Sequence, residues 1–195
     1  VALRLEVLNS LKKDNTKAAL HLTDHLKCQL KSWIRCKGDL IGRFDKLQTS
    51  EVVDILTCAA THGYLPLLRE NPEAVRAQLK TAVREHRRLF KSSPLGIWLP
   101  ECAYYEGLDE IIAESGLKYA VLDGHGLLNA DPRPRYGLYA PICTKKRVAF
   151  FGRDSESTLP VWSARDGYPG NPSYREFHRD LGWDLSIESL KKIGI

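Results

Sequence analysis

Methionine is absent from the 195 residues, which open on Val1. A native start normally carries Met or follows a processing signal, and no charged-then-apolar leader is present. The chain is therefore expected to be an internal stretch of a longer protein, and its end, Lys191-Lys192-Ile193-Gly194-Ile195, adds no element that closes a fold. No apolar run approaches the roughly 20 residues needed to cross a bilayer, so no membrane partner is expected. The five cysteines, Cys28, Cys36, Cys58, Cys102 and Cys143, are odd in number and form no CxxC pair. Free thiols in a reducing cytoplasm are the simplest account. The phosphate-loop and dinucleotide glycine patterns do not occur.

What is present reads as a globular protein. Hydrophobic residues make up 43% and charged residues 27%, a balance that argues against wholesale disorder. The net charge of +5 is spread over Lys12, Lys13, Arg84, Arg87 and Arg88 rather than gathered with aromatics in one stripe. No nucleic-acid partner is expected, because a footprint needs clustering on one face.

Leu22, Leu26 and Leu30, completed by Trp33 and Ile34, predict a first helix. Gly38 and Gly42 punctuate the chain, and Phe44 to Ser50 is expected to bridge to a buried strand over Val52 to Ala60. Asn71-Pro72 opens a helix, Asn as cap and Pro at the first position, with Val75, Leu79, Val83 and His86 at helical spacing. Gly96 to Leu99 is a strand candidate. Gly107 to Ser115 is a helix stopped by Gly116, and Lys118 to Leu122 is a strand. This strand–helix–strand order argues for parallel pairing. Asp131 to Pro141 is a loop, Arg147 to Phe151 a further strand and Gly152 to Pro172 a turn-rich segment, followed by a helix near Tyr174 to Asp180. The fold class is α/β, and alternation alone does not separate a barrel from an open sheet.

Residues suited to chemistry follow the predicted strands. His62 follows Val52–Ala60, Glu101 follows Ile97–Leu99, Asp123 and His125 follow Tyr119–Leu122, and Arg153 with Asp154 follows Val148–Phe151. In parallel α/β folds such ends converge on one rim, where sites are built. Pro100 has a fixed φ and no N–H, so it ends the ladder and aims Glu101 out of the sheet. A carboxylate beside Trp98 and Cys102 is expected to be only partly hydrated, and such a group can attack an anomeric carbon. On composition alone an ordinary surface Glu is the better account, because most Glu residues are surface charges.

Trp98-Leu99-Pro100-Glu101-Cys102-Ala103-Tyr104 resembles the nucleophile motif of glycoside hydrolase family 57. Thr57-Cys58-Ala59-Ala60-Thr61-His62-Gly63-Tyr64-Leu65-Pro66 looks like the motif preceding it. Gly152-Arg153-Asp154 through Val161-Trp162-Ser163 and Gly167-Tyr168-Pro169-Gly170 to Tyr174-Arg175-Glu176-Phe177 is similar to a region of the family's 1,4-α-glucan branching enzymes. The matches lie in order between about residues 40 and 185. Asp54, where the family often has Glu, and Leu47-Gln48-Thr49-Ser50, which lacks the usual Gly, depart from the pattern.

The resemblance implies part of a distorted (β/α)7 barrel, incomplete at both ends. Residues 1–50 would form a helical segment inserted in or packed on it, and 51–195 the partial catalytic barrel. It implies retaining chemistry on α-1,4-glucan, amylose or glycogen-like, in glycogen synthesis, with Glu101 as nucleophile and no metal or organic cofactor. Branching passes the glycosyl group to a sugar 6-hydroxyl. The acid, an Asp in a later motif, has no match here and is expected beyond Ile195, which would leave this stretch inactive by itself. His62 would donate to a sugar hydroxyl or else be a structural His. Arg153 and Gly170 are implied in substrate binding, against a local salt bridge with Asp154 or Glu156 and simple turn chemistry. Trp162 and Tyr168 offer stacking faces or pin a loop to the core. The alternatives are a family 57 α-amylase or 4-α-glucanotransferase, or a non-catalytic glycan-binding stretch. His21, His25 and Cys28 share a helical face but lack a fourth metal ligand, and Cys102 lacks the paired His of a thiol nucleophile.

Overall fold

The computed structural model describes residues 17–167, 169 and 186–192. Two compact units are present, one of Ile41–Ser155 and one of Val1–Leu40 with Glu156–Ile195. In chain order the elements are α1 (Lys17–Arg35), α2 (Leu40–Thr49), β1 (Thr57–Cys58), α3 (Leu65–Leu68), α4 (Pro72–Phe90), β2 (Gly96–Trp98), α5 (Leu108–Glu114), β3 (Tyr119–Asp123), α6 (Gly124–Leu128), β4 (Ile142–Cys143), β5 (Ala149–Arg153), α7 (Ser155–Trp162) and α8 (Ile187–Lys192). Among the described residues no helix is long and apolar enough to cross a membrane.

The Ile41–Ser155 unit is built on a five-stranded sheet of order β1-β2-β3-β5-β4. β1, β2, β3 and β5 run parallel, and β4 pairs antiparallel with β5. Each parallel strand neighbours the previous one in sequence, with helices between. That is the order of an arc of a singly wound β/α barrel, whereas a doubly wound open sheet reverses direction part-way.

Helix α4 shows how the sequence builds the core. Asn71 accepts from the Ala74 amide through its side chain at 3.2 Å, and Pro72 supplies a preset φ at the start. Val75, Leu79, Ala82, Val83 and His86 then fall on one buried face. Of this face, Val75, Leu79 and Val83 join Ile97 and Leu99, Leu108 and Ile112 of α5, Ala120 of β3 and Phe150 of β5 in one apolar cluster. Gly116, at φ +82, ends the α5 region in the left-handed conformation that glycine adopts without strain.

Four sequence expectations are corrected. Val52–Ala60 is not one buried strand: only Thr57 and Cys58 pair, with Ile97 and Trp98, and Val52 is 68% exposed. Its sole neighbour in the described sheet, β2, is three residues long and offers no longer ladder. The lead-in is instead tied by side chains, with Ile55 N–H donating to Gln48 and the Tyr119 hydroxyl to Asp54. Phe44–Ser50 is not a bridge but lies largely in α2. The last parallel strand is Ala149–Arg153, two residues later than expected, because its register is fixed by β3 rather than by its own apolar run. Gly152–Pro172 contains α7, a helix that carries Pro160 and a first-turn Glu156, within a stretch whose Pro and Gly content favours turns. Strand β4 was not foreseen, being too short for a pattern. The helix expected near Tyr174 to Asp180 lies outside the described residues.

Candidate active site

His62 stands on the connection leaving β1. Gln78 of α4 holds this loop from below: its Oε1 accepts from the Thr61 amide at 2.9 Å and its Nε2 donates to the Thr61 hydroxyl at 2.8 Å. The His62 amide donates to the Ala59 carbonyl at 3.0 Å, closing a tight turn that puts His62 at φ 55. For a non-glycine residue that conformation is strained by about 1–2 kcal/mol and persists only when the surroundings impose it. The ring lies between two side chains, with Nδ1 3.4 Å from Cys58 Sγ and Nε2 3.2 Å from Glu101 Oε1.

Glu101 follows β2 in a 3-10 turn, Pro100–Cys102. Leu99 and Cys102 are buried on either side, and the Cys102 amide donates to the Leu99 carbonyl at 2.8 Å. Both Glu101 (φ 56) and Cys102 (φ 52) are left-handed. Proline ends the ladder, the turn reverses the backbone, and the carboxylate projects from the sheet's end. The side chain is 73% exposed, so the expectation of a partly dehydrated carboxylate is corrected: the sulfur beneath it is buried, while the carboxylate itself faces water and His62.

On the next strands, Asp123 accepts from Arg153 Nη2 at 2.8 Å and from His125 Nδ1 at 3.1 Å. Burial works against ionisation of Asp123, but the His125 hydrogen bond and the Arg153 charge together outweigh it and hold the carboxyl below its ordinary range. Gly124 makes this approach possible, because a Cβ there would stand 2.6 Å from the Arg153 carbonyl oxygen. The Cys102 thiol is pushed up by burial, with Arg153 pulling the other way.

These strand ends frame a cleft of about 240 Å³, lined among others by Tyr64, Glu101, Tyr104, Asp123, His125 and Gly126. Tyr104 leans edge-on against Phe150, with centroids 5.2 Å apart. Burial, with Asp109 nearby, pushes its hydroxyl up to about 12, so it remains a neutral donor. A lining of two carboxylates and an imidazole together with two tyrosines suits a ligand rich in hydroxyls and C–H faces.

Residues 4–183 match the sequence pattern of Glycosyl hydrolase family 57. The chain belongs to this family. Among relatives of this family 57 chain, a 1,4-α-glucan branching enzyme of Thermococcus kodakarensis is 36% identical over 201 aligned residues, which take in 89% of this chain and 29% of that protein. Among solved structures, the α-amylase AmyC from Thermotoga maritima superposes with a TM-score of 0.80 at 39% identity, over 96% of this chain and 38% of that one. A GH57-type branching enzyme from Pyrococcus horikoshii gives 0.74 at 32% identity, over 90% and 37%. The chain thus spans less than two-fifths of the proteins it resembles.

In the family 57 chain, the structure brings His62, Glu101, Asp123, His125 and Arg153 to the ends of β1, β2, β3 and β5, with His62 on Glu101 and Arg153 on Asp123. Trp162 closes α7, half exposed, in the other unit. Tyr168 and Gly170 lie outside the described residues. Among the described residues no group of three His, Cys, Asp or Glu side chains is placed to hold a metal ion. Tyr64 and Tyr104 were missed as cleft walls, although each lies within a motif that carried the family resemblance.

Proposed function

We propose that the protein is a cytoplasmic 1,4-α-glucan branching enzyme of the retaining type, with Glu101 as nucleophile. The observation that carries this is the left-handed turn after β2, which projects Glu101 beside the His62 ring at 3.2 Å over a cleft walled by tyrosines. In this reading a Glu101 oxygen attacks the anomeric carbon of an α-1,4-linked glucose, and the bond to the leaving sugar oxygen breaks as that oxygen takes a proton. A sugar 6-hydroxyl then attacks the glycosyl ester, gives up its proton and releases the Glu101 carboxylate with an α-1,6 link formed. His62 fixes the nucleophile, Arg153 serves glucan binding through the rim it shares with Asp123, and Trp162, Tyr168 and Gly170 contribute binding contacts.

The leaving oxygen needs an acid about 5–5.5 Å from the nucleophile. Asp123 lines the same cleft, but Arg153 and His125 hold it ionised, which makes it a poor proton donor. On this reading the acid is another group, the Asp that the family resemblance implies in a later motif.

Incubating the full-length protein with amylose, then debranching and sizing the chains, tests this: new short chains released by debranching are expected. Glu101→Gln is expected to abolish transfer while retaining glucan binding. The likeness to the T. maritima α-amylase favours hydrolysis as a second reading. Reducing ends appearing without new branches would favour it, and transfer surviving Glu101→Gln would refute both.

A further inference from the structure

Cys58, the last residue of β1, is used by nothing in the mechanism above, yet its sulfur is 3.4 Å from His62 Nδ1 while the opposite ring nitrogen is 3.2 Å from Glu101. We propose that Cys58 is a positioning residue whose S–H donates to Nδ1 and so fixes His62 as the Nε2–H tautomer, the form that donates to Glu101. The role in transfer rests on the reading of Glu101 as nucleophile; the tautomer does not.

The donor and acceptor inventory carries the case. An ionised carboxylate only accepts, so the proton between His62 and Glu101 belongs to Nε2. In a neutral ring Nδ1 is then an acceptor and needs a donor. The thiol provides it. Burial raises Cys58 above its ordinary value and outweighs the opposing Ala59 backbone hydrogen bond, which keeps the sulfur protonated. The left-handed turn at His62 is what folds its ring back over residue 58. With Oε1 held by His62, the carboxylate plane is set, and the other oxygen is the one presented to the anomeric carbon. Serine could replace Cys58 in this role; valine or alanine could not.

The test uses the full-length protein labelled with 15N-histidine, with the His62 signals assigned through His62→Gln. Long-range 1H–15N correlations distinguish the two neutral tautomers. Wild type is expected to show Nε2–H alone. Glu101→Ala removes the carboxylate's pull and is expected to keep that pattern, because Cys58 still donates. Adding Cys58→Val to Glu101→Ala is expected to bring in a detectable Nδ1–H population, and adding Cys58→Ser is not. Cys58→Ala gives a second reading should valine disturb packing. In glucan transfer, Cys58→Val alone is expected to lower kcat roughly 3- to 10-fold with KM unchanged, with recovery in Cys58→Ser, the size of one modest hydrogen bond. An Nδ1–H ring in wild type, or a pattern indifferent to Cys58→Val in the Glu101→Ala background, overturns the proposal. The Nε2–H pattern in a protein that transfers no glucan supports the tautomer and counts only against the function.

Discussion

Asp123 and Arg153 are the last register pair of β3 and β5, and their side chains meet at 2.8 Å directly above that pair. The ion pair closes the sheet's carboxyl end and shapes the rim at once. Both side chains are less than a third exposed, so solvent screens the pair less than it would on an open surface.

A double-mutant cycle on Asp123→Asn and Arg153→Met is expected to return a coupling of about 1–2 kcal/mol in urea unfolding. That lies between the near-zero value of surface pairs and the several kcal/mol of breaking buried ones. A coupling within error of zero would mean the contact contributes nothing to stability.

The same carboxylate predicts an acid limb. The folded-state value for Asp123 lies below the ordinary 3.8. Its contribution is therefore complete above that ordinary value and is lost as pH falls through the lower, folded one. Glu114, lowered by its hydrogen bond from Arg76, and Glu85, lowered by that from Arg88, act in the same direction. Stability followed by circular dichroism is expected to drop below about pH 4, and Asp123→Asn to flatten part of that drop.

Gly124→Ala is expected to destabilise by about 2–3 kcal/mol, since the added Cβ meets backbone, the Arg153 carbonyl oxygen at 2.6 Å, rather than a side chain that could turn away. Gly126→Ala, two residues on, has nothing within 4 Å of its Cβ and is expected to change the melting temperature little. Equal shifts for the two would show that the close approach relaxes without cost.

Gln78→Ala removes both side-chain hydrogen bonds to Thr61 and leaves α4 intact. Stability is expected to fall by only about 1 kcal/mol, because the contacts are exposed. Glucan transfer by the full-length protein is expected to fall more, about tenfold, because the loop that aims His62 is loosened. Activity that tracks the stability loss alone would assign Gln78 a merely structural part.

Some of this was legible in the chain itself. The Asn71-Pro72 cap and the spacing of Val75, Leu79, Val83 and His86 gave α4 and its buried face, since a cap and a helical period are both local. Pro100 before Glu101 marked where β2 stops, and the motifs around His62 and Glu101 marked the family. The ladder lengths were not legible. Val52 to Ala60 has the composition of a buried strand, but pairing needs a partner, and β2 offers a match to only two of its residues.

The sequence by itself determined helix α4 with its cap and buried face, the glycine stop after α5, and the order in which His62, Glu101, Asp123 and Arg153 come at the ends of their strands, because capping, helical period and turn stereochemistry act within a few positions. Only the tertiary structure decided that Glu101 meets His62, 39 positions away, that Arg153 meets Asp123, 30 positions away, and that Cys58 stands behind the imidazole. Those pairings follow from strand order and register, which are fixed by packing between distant segments and leave no trace in any short window of the chain.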